Sequence, residues 1–542
     1  MSDGTLPAAG SRPAPRAKAS GAAARRAGAP RAGAWWTGAW GTALVPAVLA
    51  LGLGLWGLRR QDSMWRDESV TYQVAHRGVG QIGQLVRHVD AVHGVYYLLM
   101  HGLFAVWDDG LLTLRLPSVV ATAAAAALVA LTGRRLAGRR AGLWSGVTFA
   151  LVPLVQMYAQ EGRSYALVCA LVALATYLFV RALGDGGGWR LWAGYGAAIA
   201  AAGWLHEFAV LALAAHGVTV LVSGVGRAAR VGWAVAAVGA ALSVAPLAVF
   251  STGQSAQVAW LGGPGLVQCL EIAAVVALGA ACAWVPGPAG RRAGAPWGAG
   301  PVTAARLGLP LLVVPTALLL AAGAYKPMYL DRYVLYSYLG LGLLMGRALD
   351  ALFAHARGRA WRRRGAWCGV VLAVLALVPV SLEMRTPDSR KDDVTAVSLA
   401  VRRLAPGAGD VLFMPSRRRE WRMSYPGPYL GLHDLALRRD AVRSHTLEGE
   451  EEPAPVVRER VLGARRIVAL TDPQGQPLDT TAAEVVKREV LRRHFVRCDR
   501  IRVKGAQVVL YAHRGDCPDR SDRSYRPGRR TGRQQLSSAR PR

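Results

Sequence analysis

Residues 64–72 read M-W-R-D-E-S-V-T-Y and follow an apolar stretch over residues 36–58, W-T-G-A-W-G-T-A-L-V-P-A-V-L-A-L-G-L-G-L-W-G-L. The apolar stretch is long enough to cross the hydrocarbon layer of a bilayer as a helix. The tail before it is basic, with Arg12, Arg16, Lys18, Arg25, Arg26 and Arg31. Positive charge beside a span is retained in the cytoplasm. The sequence therefore predicts that Asp67 and Glu68 emerge on the opposite, extracytoplasmic face, close to the membrane surface.

The composition of the whole chain is that of a membrane protein. Of its 542 residues, 52% are hydrophobic, and the mean hydropathy is +0.24. A formal charge of +31 would suggest a nucleic-acid partner in a soluble protein. Here the arginines lie in the tails and in the joints between apolar runs, where the orientation rule for membrane proteins accounts for them. We therefore expect membrane lipids, and not nucleic acid, to be the partners of this charge.

Apolar runs recur between residues 36 and 384, a range we interpret as a multispan α-helical membrane domain of about eleven spans. Clusters of arginine near residues 134–140, 227–230, 291–306 and 357–364 fall on alternate turns and mark the cytoplasmic side. The segments near 79–107 are weakly amphipathic and are expected to lie flat on the membrane. The protein is thus predicted to reside in the cell membrane with a cytoplasmic N-terminus, and residues 1–35 to be a disordered basic tail.

The composition changes near residue 385 to that of a folded soluble domain. Strand and helix patterns alternate over residues 385–515, which predicts a small extracytoplasmic α/β domain ending in a hairpin. No glycine-rich phosphate loop is found there, so nucleotide binding has no support. Cys498 and Cys517 flank the hairpin in an oxidising compartment, and we predict a disulfide between them. Residues 516–542 are predicted to be a disordered basic tail.

The candidate site residues are polar or aromatic side chains at the predicted extracytoplasmic ends of the spans. They are Asp67, Glu68, Asp90, His93, Tyr97, Glu161, Arg163, Tyr165, His206, Lys326 and Arg332. Asp67 and Glu68 are the candidate catalytic residues, because a carboxylate can deprotonate an incoming hydroxyl. The others are candidate substrate-binding residues, since arginine, lysine or histidine can neutralise a phosphate leaving group.

Each of these residues also has a purely structural interpretation. Adjacent acids in a loop are usually just solvated, Asp90 and His93 suit the wet face of a surface helix, and Arg163 beside Tyr165 suits an interfacial anchor. Lys326 and Arg332 suit ordinary juxtamembrane charges. We find no metal-ligand spacing and predict no cofactor, although a divalent metal stays possible.

Five short motifs occur in a characteristic order: W-R-D-E-S-V-T at 65–71, D-A-V-H-G-V-Y-Y-L-L-M-H at 90–101, L-T-L-R-L-P-S at 112–118, Q-E-G-R-S-Y-A-L at 160–167 and D-R-Y-V-L at 331–335. Over residues 40–350 the chain resembles the GT-C glycosyltransferases of the family 39 type, which include bacterial protein O-mannosyltransferases and the aminoarabinose transferases of lipid A. In that family the second motif usually has aspartate followed by His-Pro or Pro-Pro, whereas this chain has Gly94 after His93.

The resemblance implies a GT-C-like fold and a transferase that uses a polyprenyl-phosphate sugar, most simply mannose. It implies that Asp67 is the base and that Arg163 and Arg332 lie near the lipid phosphate. The acceptor would be a hydroxyl of a cell-envelope glycan, lipid or protein, attacked with inversion on the extracytoplasmic face. The alternatives are a transporter or flippase of polyprenyl-linked lipid, and a sensor whose outer domain binds a ligand.

Overall fold

The structure is a computed structural model that describes residue 1 and residues 39–254, 262–286, 302–325, 327–406 and 408–518. The predicted disorder of the two tails falls almost entirely outside the described residues, and so does the candidate residue Lys326.

Within the described ranges, eight helices are long and apolar enough to cross a membrane. They are Gly41–Asp62, Leu111–Ala137, Tyr165–Gly184, Arg227–Thr252, Leu266–Trp284, Ala304–Tyr325, Asp331–His355 and Ala360–Glu383. The bent pair Arg139–Leu151 and Pro153–Ala159 brings the number to nine if it is one span. Two shorter helices, Trp189–Leu205 and Leu211–Val222, follow helix Tyr165–Gly184. The polytopic helical architecture is confirmed, and the number of eleven spans stays a prediction.

Small residues let the central helices approach closely. An added Cβ at Gly142 would overlap the carbonyl of Ala130, and one at Gly346 would overlap the backbone of Ser145. Apolar helices in lipid associate through such close packing, because lipid and side chains are equally apolar. The result is a tightly packed bundle in which helices Leu111–Ala137, Arg139–Leu151 and Tyr338–His355 meet.

Three short helices follow the first span, at Arg66–Ala75, Val79–His88 and Gly94–Val106. Val79–His88 buries Ile82 and Leu85 in a cluster that includes Leu447 of the C-terminal part of the chain. This segment is therefore packed against protein on its apolar face.

The C-terminal part forms a five-stranded sheet in the order β2-β1-β5-β7-β6. Its strands are β1 Asp410–Met414, β2 His433–Asp434, β5 Arg466–Thr471, β6 Val496–Val503 and β7 Ala506–Ala512, and β3 Leu437–Arg439 pairs separately with β4 Glu450–Glu451. The remaining helices are Val394–Leu404, Glu420–Ser424, Ala454–Gly463 and Ala482–His494. β1 runs parallel to β5, and β6 and β7 form an antiparallel hairpin. The predicted α/β domain and its terminal hairpin are confirmed.

The disulfide between Cys498 and Cys517 is also confirmed. It joins β6 to the segment that follows β7, so it closes the hairpin at the end of the domain. The other four cysteines, Cys169, Cys269, Cys282 and Cys368, are free thiols.

The predicted orientation of the chain can be tested by labelling. Single cysteines at Arg443, whose side chain is 83% exposed, and at Arg140, which is exposed, would lie on opposite faces of the membrane. With a membrane-impermeant maleimide on intact cells, we expect Arg443→Cys to be labelled and Arg140→Cys to be labelled only after lysis. The wild-type chain reports background from its own thiols. Labelling of Arg140→Cys in intact cells would contradict the proposed orientation.

Candidate active site

The polar ends of several helices meet at one end of the bundle, under the C-terminal domain. Asp67 lies in the first turn of helix Arg66–Ala75, and Arg163 lies in the short connection before helix Tyr165–Gly184. Arg332 lies in the turn Asp331–Ser337, which precedes helix Tyr338–His355. Residues far apart in sequence are thus brought to one place by the helix ends that carry them.

The Asp67 carboxylate lies between two arginines. Its Oδ2 is 3.2 Å from Arg332 Nη2, and its Oδ1 is 3.9 Å from Arg163 Nη2. Its side chain is 21% exposed, whereas those of Arg332 and Arg163 are 11% and 6% exposed. Burial opposes ionisation of Asp67, but the charges of Arg332 and Arg163 outweigh it and lower the pKa of this carboxyl. Asp67 is therefore an ionised carboxylate at neutral pH that retains access to solvent.

Glu68 has a different environment, although it is the next residue. Its side chain is fully buried and accepts hydrogen bonds from Arg60 Nη2 at 2.8 and 2.9 Å, from Arg115 Nε and Nη2 at 2.7 Å each, and from the Gly162 N–H at 3.1 Å. Burial opposes its ionisation, but the charges of Arg115 and Arg60 lower its pKa to about 2. Both oxygens of Glu68 accept hydrogen bonds, so the side chain holds together the segments that carry Arg60, Arg115 and Gly162. We therefore propose a positioning role for Glu68 in place of the predicted catalytic one.

One ion pair and two hydrogen bonds link Asp67 to the second predicted motif. Arg163 Nη1 donates to the Tyr97 hydroxyl at 3.2 Å, and that hydroxyl donates to the carboxylate of Asp90. Asp90 has a left-handed backbone with φ of 61°, a conformation that aspartate tolerates better than most residues. Arg163 thus contacts both acidic motifs, and the predicted grouping of Asp90, Tyr97 and Arg163 is present in the structure.

Aromatic and histidine rings form one wall of the site. The rings of His93 and His206 are 5.7 Å apart, and Tyr165 lies 6.3 Å from the first and 5.7 Å from the second. Tyr333 packs on His206 at 4.6 Å. The guanidinium of Arg332 lies over three rings, at 5.6 Å from Trp65, 5.5 Å from Tyr165 and 5.9 Å from Tyr333. These rings fix the position of the Arg332 charge beside Asp67.

Glu161 lies close by in a dry environment. Its side chain is 1% exposed, and its Oε2 is 3.5 Å from Arg390 Nε. Neither carboxylate oxygen has a hydrogen-bond partner among the described residues. Burial raises the pKa of this carboxyl to about 7, against the opposing charge of Arg390.

Further buried polar atoms of the site lack a hydrogen-bond partner within the described part of the chain. They are Nδ1 of His93 and of His206, Nε of Arg163 and of Arg332, and both oxygens of Glu161. Buried polar groups are normally hydrogen-bonded, so such a cluster is typical of a site that binds a polar ligand. The charges of the two arginines favour an anionic group in that ligand.

The described residues contain no group of three or more histidine, cysteine, aspartate or glutamate side chains arranged to hold a metal ion. Asp67 and Asp90 are connected to each other through Arg163 and Tyr97.

The structure adds site residues that the sequence interpretation did not select. Tyr333 and Trp65 adjoin predicted residues, so their place in the D-R-Y and W-R-D-E motifs was a usable signal. Arg390 and Arg60 had no such signal. Arg390 is distant in sequence from its partner Glu161, and Arg60 is separated from its partner Glu68 by a turn.

The pKa of Glu161 leads to a prediction about pH. Because its folded-state pKa of about 7 exceeds the ordinary value of 4.5, the folded state binds more protons between these values. Its contribution to the free energy of unfolding is therefore full below pH 4.5 and is lost as the pH rises to about 7. We expect the loss of stability between pH 4.5 and about pH 7 to be smaller in Glu161→Gln than in wild type. The measurement is thermal unfolding of detergent-solubilised protein as a function of pH. An unchanged decline would place the pKa of Glu161 at its ordinary value.

Comparison with known proteins adds to this geometry. The family model described as dolichyl-phosphate-mannose-protein mannosyltransferase matches residues 94–250, a segment that includes Tyr97, Glu161, Arg163, Tyr165 and His206. A search of curated protein sequences gives no significant match.

Among solved structures, the fold is similar to ArnT from Cupriavidus metallidurans. The structure of ArnT bound to undecaprenyl phosphate has a TM-score of 0.57 at 11% identity, over 87% of this chain and 98% of that chain. The apo structure has a TM-score of 0.57 at 12% identity over the same shares. The Archaeoglobus fulgidus oligosaccharyltransferase in its apo form has a TM-score of 0.47 at 10% identity, over 81% of this chain and 70% of that chain.

The expected resemblance is thus confirmed at the level of the fold and of the matched segment. The chain is therefore a multi-pass helical membrane protein whose fold is similar to that of ArnT and whose residues 94–250 are similar to the dolichyl-phosphate-mannose-protein mannosyltransferase family.

Proposed function

We propose that the protein transfers a sugar, mannose in the simplest case, from a polyprenyl-phosphate donor to a hydroxyl of a cell-envelope glycan, lipid or protein on the extracytoplasmic face. The observation that carries this proposal is the contact of Asp67 with Arg163 and Arg332 in a site with unpartnered buried polar atoms. It supports a base at Asp67 beside a binding site for an anion. The matched mannosyltransferase family and the structure of ArnT with undecaprenyl phosphate support the same donor class.

In the proposed reaction, the donor phosphate binds Arg332 and Arg163 through charge-assisted hydrogen bonds. The acceptor oxygen attacks the anomeric carbon as Asp67 removes its proton. The bond from that carbon to the phosphate oxygen breaks at the same time, and its electron pair leaves with the polyprenyl phosphate. Attack opposite the leaving group inverts the anomeric centre. Because the leaving group is a stable anion, no strong general acid is required.

Donor binding also bears on the strength of the base. Without donor, Asp67 is the counter-ion of both arginines, which lowers its pKa and weakens it as a proton acceptor. A phosphate on Arg332 and Arg163 would take over part of this pairing and add negative charge nearby. The pKa of Asp67 then rises. Asp67 thereby becomes a more effective base in the donor complex, where the base is needed.

The other predicted residues surround this centre. Asp90 and Tyr97 present oxygen atoms that suit sugar hydroxyls, and His93, Tyr165 and His206 form a wall of rings against which a sugar can pack. Glu161 offers a buried carboxyl for a further hydroxyl. Lys326 remains a predicted phosphate ligand on the sequence alone.

The two alternatives would use these residues differently. A lipid transporter needs polar groups along a path through the bilayer, whereas these groups meet at the ends of the helices. A sensor would leave Asp67 dispensable.

A direct assay tests the proposal. Purified protein in lipid nanodiscs is incubated with radiolabelled polyprenyl-phosphate mannose and a cell-envelope extract. We expect label to move from the lipid to an envelope fraction, and lipid-bound sugar to disappear in step. Retention of all label on the lipid, with intact folded protein, would contradict transfer of mannose. The same assay with other polyprenyl-phosphate sugars then tests the donor class.

A further inference from the structure

The C-terminal domain contacts the main chain of the acidic motif on both sides of Asp67. Before it, the Val394 N–H donates to the Met64 carbonyl at 2.8 Å, and the Met64 N–H donates to Thr395 Oγ1 at 3.1 Å. After it, the Ser69 and Ser424 hydroxyls are 2.6 Å apart, and the Ser424 hydroxyl lies 3.1 Å from the Ser69 carbonyl. The domain thus holds the motif as well as covering it.

The contacts nearest to Asp67 are made to its neighbour, Arg66. The Arg66 N–H donates to Asp392 Oδ1 at 2.7 Å, and the Arg66 Nε donates to a carboxylate oxygen of Glu420. The Glu420 side chain is only 1% exposed, whereas that of Arg66 is 38% exposed, so the acidic partner of this ion pair is shielded from water. Because Arg66 begins helix Arg66–Ala75, a fixed Arg66 fixes the direction of the helix turn that carries Asp67.

Both acidic partners are themselves rigidly mounted. Asp392 directly precedes Asp393, which caps helix Val394–Leu404 by accepting the Ala396 N–H at 3.0 Å. Glu420 follows Arg418 and Arg419, which are buried and paired with Asp472 and Asp434. A site holds its geometry when the groups that support it are locked by their own contacts.

The contact of Asp392 with Arg66 is made at an energetic cost. Burial raises the pKa of its carboxyl to about 6, so the folded state carries a buried acid at some cost. An apolar residue at this place would avoid that cost but would leave the Arg66 N–H without an acceptor.

We propose that Asp392 and Glu420 of the C-terminal domain are positioning residues that hold Arg66 and thereby set the place of Asp67 in the active site. The proposal rests on the proposed role of Asp67 as the base. The domain is then part of the catalytic framework, and the membrane domain alone would carry a displaced base.

The test compares Asp392→Ala, Asp392→Asn and Glu420→Gln in the full-length protein. Displacement of a reacting group by about 1 Å costs up to about 100-fold in rate. We expect Asp392→Ala and Glu420→Gln to lower kcat by about 10-fold or more with the KM for the lipid donor changed less than twofold. Asp392→Asn keeps an oxygen acceptor for the Arg66 N–H and should restore most of the rate.

Leu447→Ala is the matched control, because Leu447 belongs to the apolar cluster that contains Val70 and Val74 of the same helix. It loosens the same interface without touching Arg66, so we expect a near-normal kcat. If kcat fell in Leu447→Ala as far as in Asp392→Ala, the interface would matter only for stability, and the proposal would be wrong.

Hydrogen–deuterium exchange over residues 64–72 gives a second measurement that needs no activity. We expect faster exchange in Asp392→Ala and Glu420→Gln than in wild type and in Asp392→Asn. Unchanged exchange would overturn the proposal. If wild type transferred no sugar, the proposed function would fail, and the exchange data would still decide whether these residues hold the motif. Should Asp392→Ala fail to fold, Glu420→Gln with Asp392→Asn provides the same comparison.

Discussion

Replacement of Asp67 by Asn is expected to lower turnover by at least about 100-fold, the usual contribution of a general base. The substitution keeps the size and the hydrogen-bonding shape of the side chain but removes the proton acceptor. Donor binding should not weaken, because Asp67 competes with the lipid phosphate for Arg332 and Arg163. The measurements are kcat in the nanodisc assay and the Kd for polyprenyl phosphate.

Asp62→Asn is the matched control for this experiment. Asp62 precedes the same motif, its side chain is 68% exposed, and its nearest basic partner is the exposed Arg59 at 3.8 Å. We expect its turnover to equal that of wild type. Equal turnover in Asp67→Asn and wild type would exclude Asp67 as the base and favour the transporter or sensor interpretation. A loss of donor binding with normal chemistry would instead make Asp67 a ligand of the sugar.

Replacement of Glu68 by Gln is expected to destabilise the protein by about 3–5 kcal/mol, the usual cost of breaking a buried ion pair. Five N–H···O contacts from Arg60, Arg115 and Gly162 converge on the two oxygens of Glu68. In either orientation of a glutamine, its NH₂ group would face N–H donors and leave buried charge without a counter-ion. The measurement is the free energy of unfolding, or the shift in Tm, of the purified protein.

Glu459→Gln, on the exposed face of helix Ala454–Gly463, is the control and should change stability by less than about 0.5 kcal/mol. The fraction of Glu68→Gln protein that stays folded should keep more of its turnover than Asp67→Asn does. A stable Glu68→Gln protein with the same loss of turnover as Asp67→Asn would return Glu68 to the catalytic role first predicted for it.

Much of the architecture could be predicted because the bilayer imposes strong rules on sequence. Span lengths follow from its thickness, and the alternation of arginine-rich joints such as 134–140 and 357–364 follows from the orientation rule. The same logic placed the cysteines of the terminal hairpin in one compartment, and the disulfide between Cys498 and Cys517 is present. It also predicted that Asp67, Asp90, Arg163 and Arg332 share one face, although not that Arg163 contacts both Asp67 and the Tyr97 hydroxyl that donates to Asp90.

What the tertiary structure alone decided is best seen at Asp67 and Glu68. The sequence determined that an acidic pair follows the first span at the end of the bundle where the other polar motifs gather. Successive residues of a helix point about 100° apart, so one carboxylate turns to the open site and the other into the protein. Which one is buried depends on Arg60, Arg115, Arg163 and Arg332, and on the C-terminal domain that orients the turn. Those partners lie up to several hundred residues away, and only their packing in space separates the proposed base, Asp67, from the buried structural anion, Glu68.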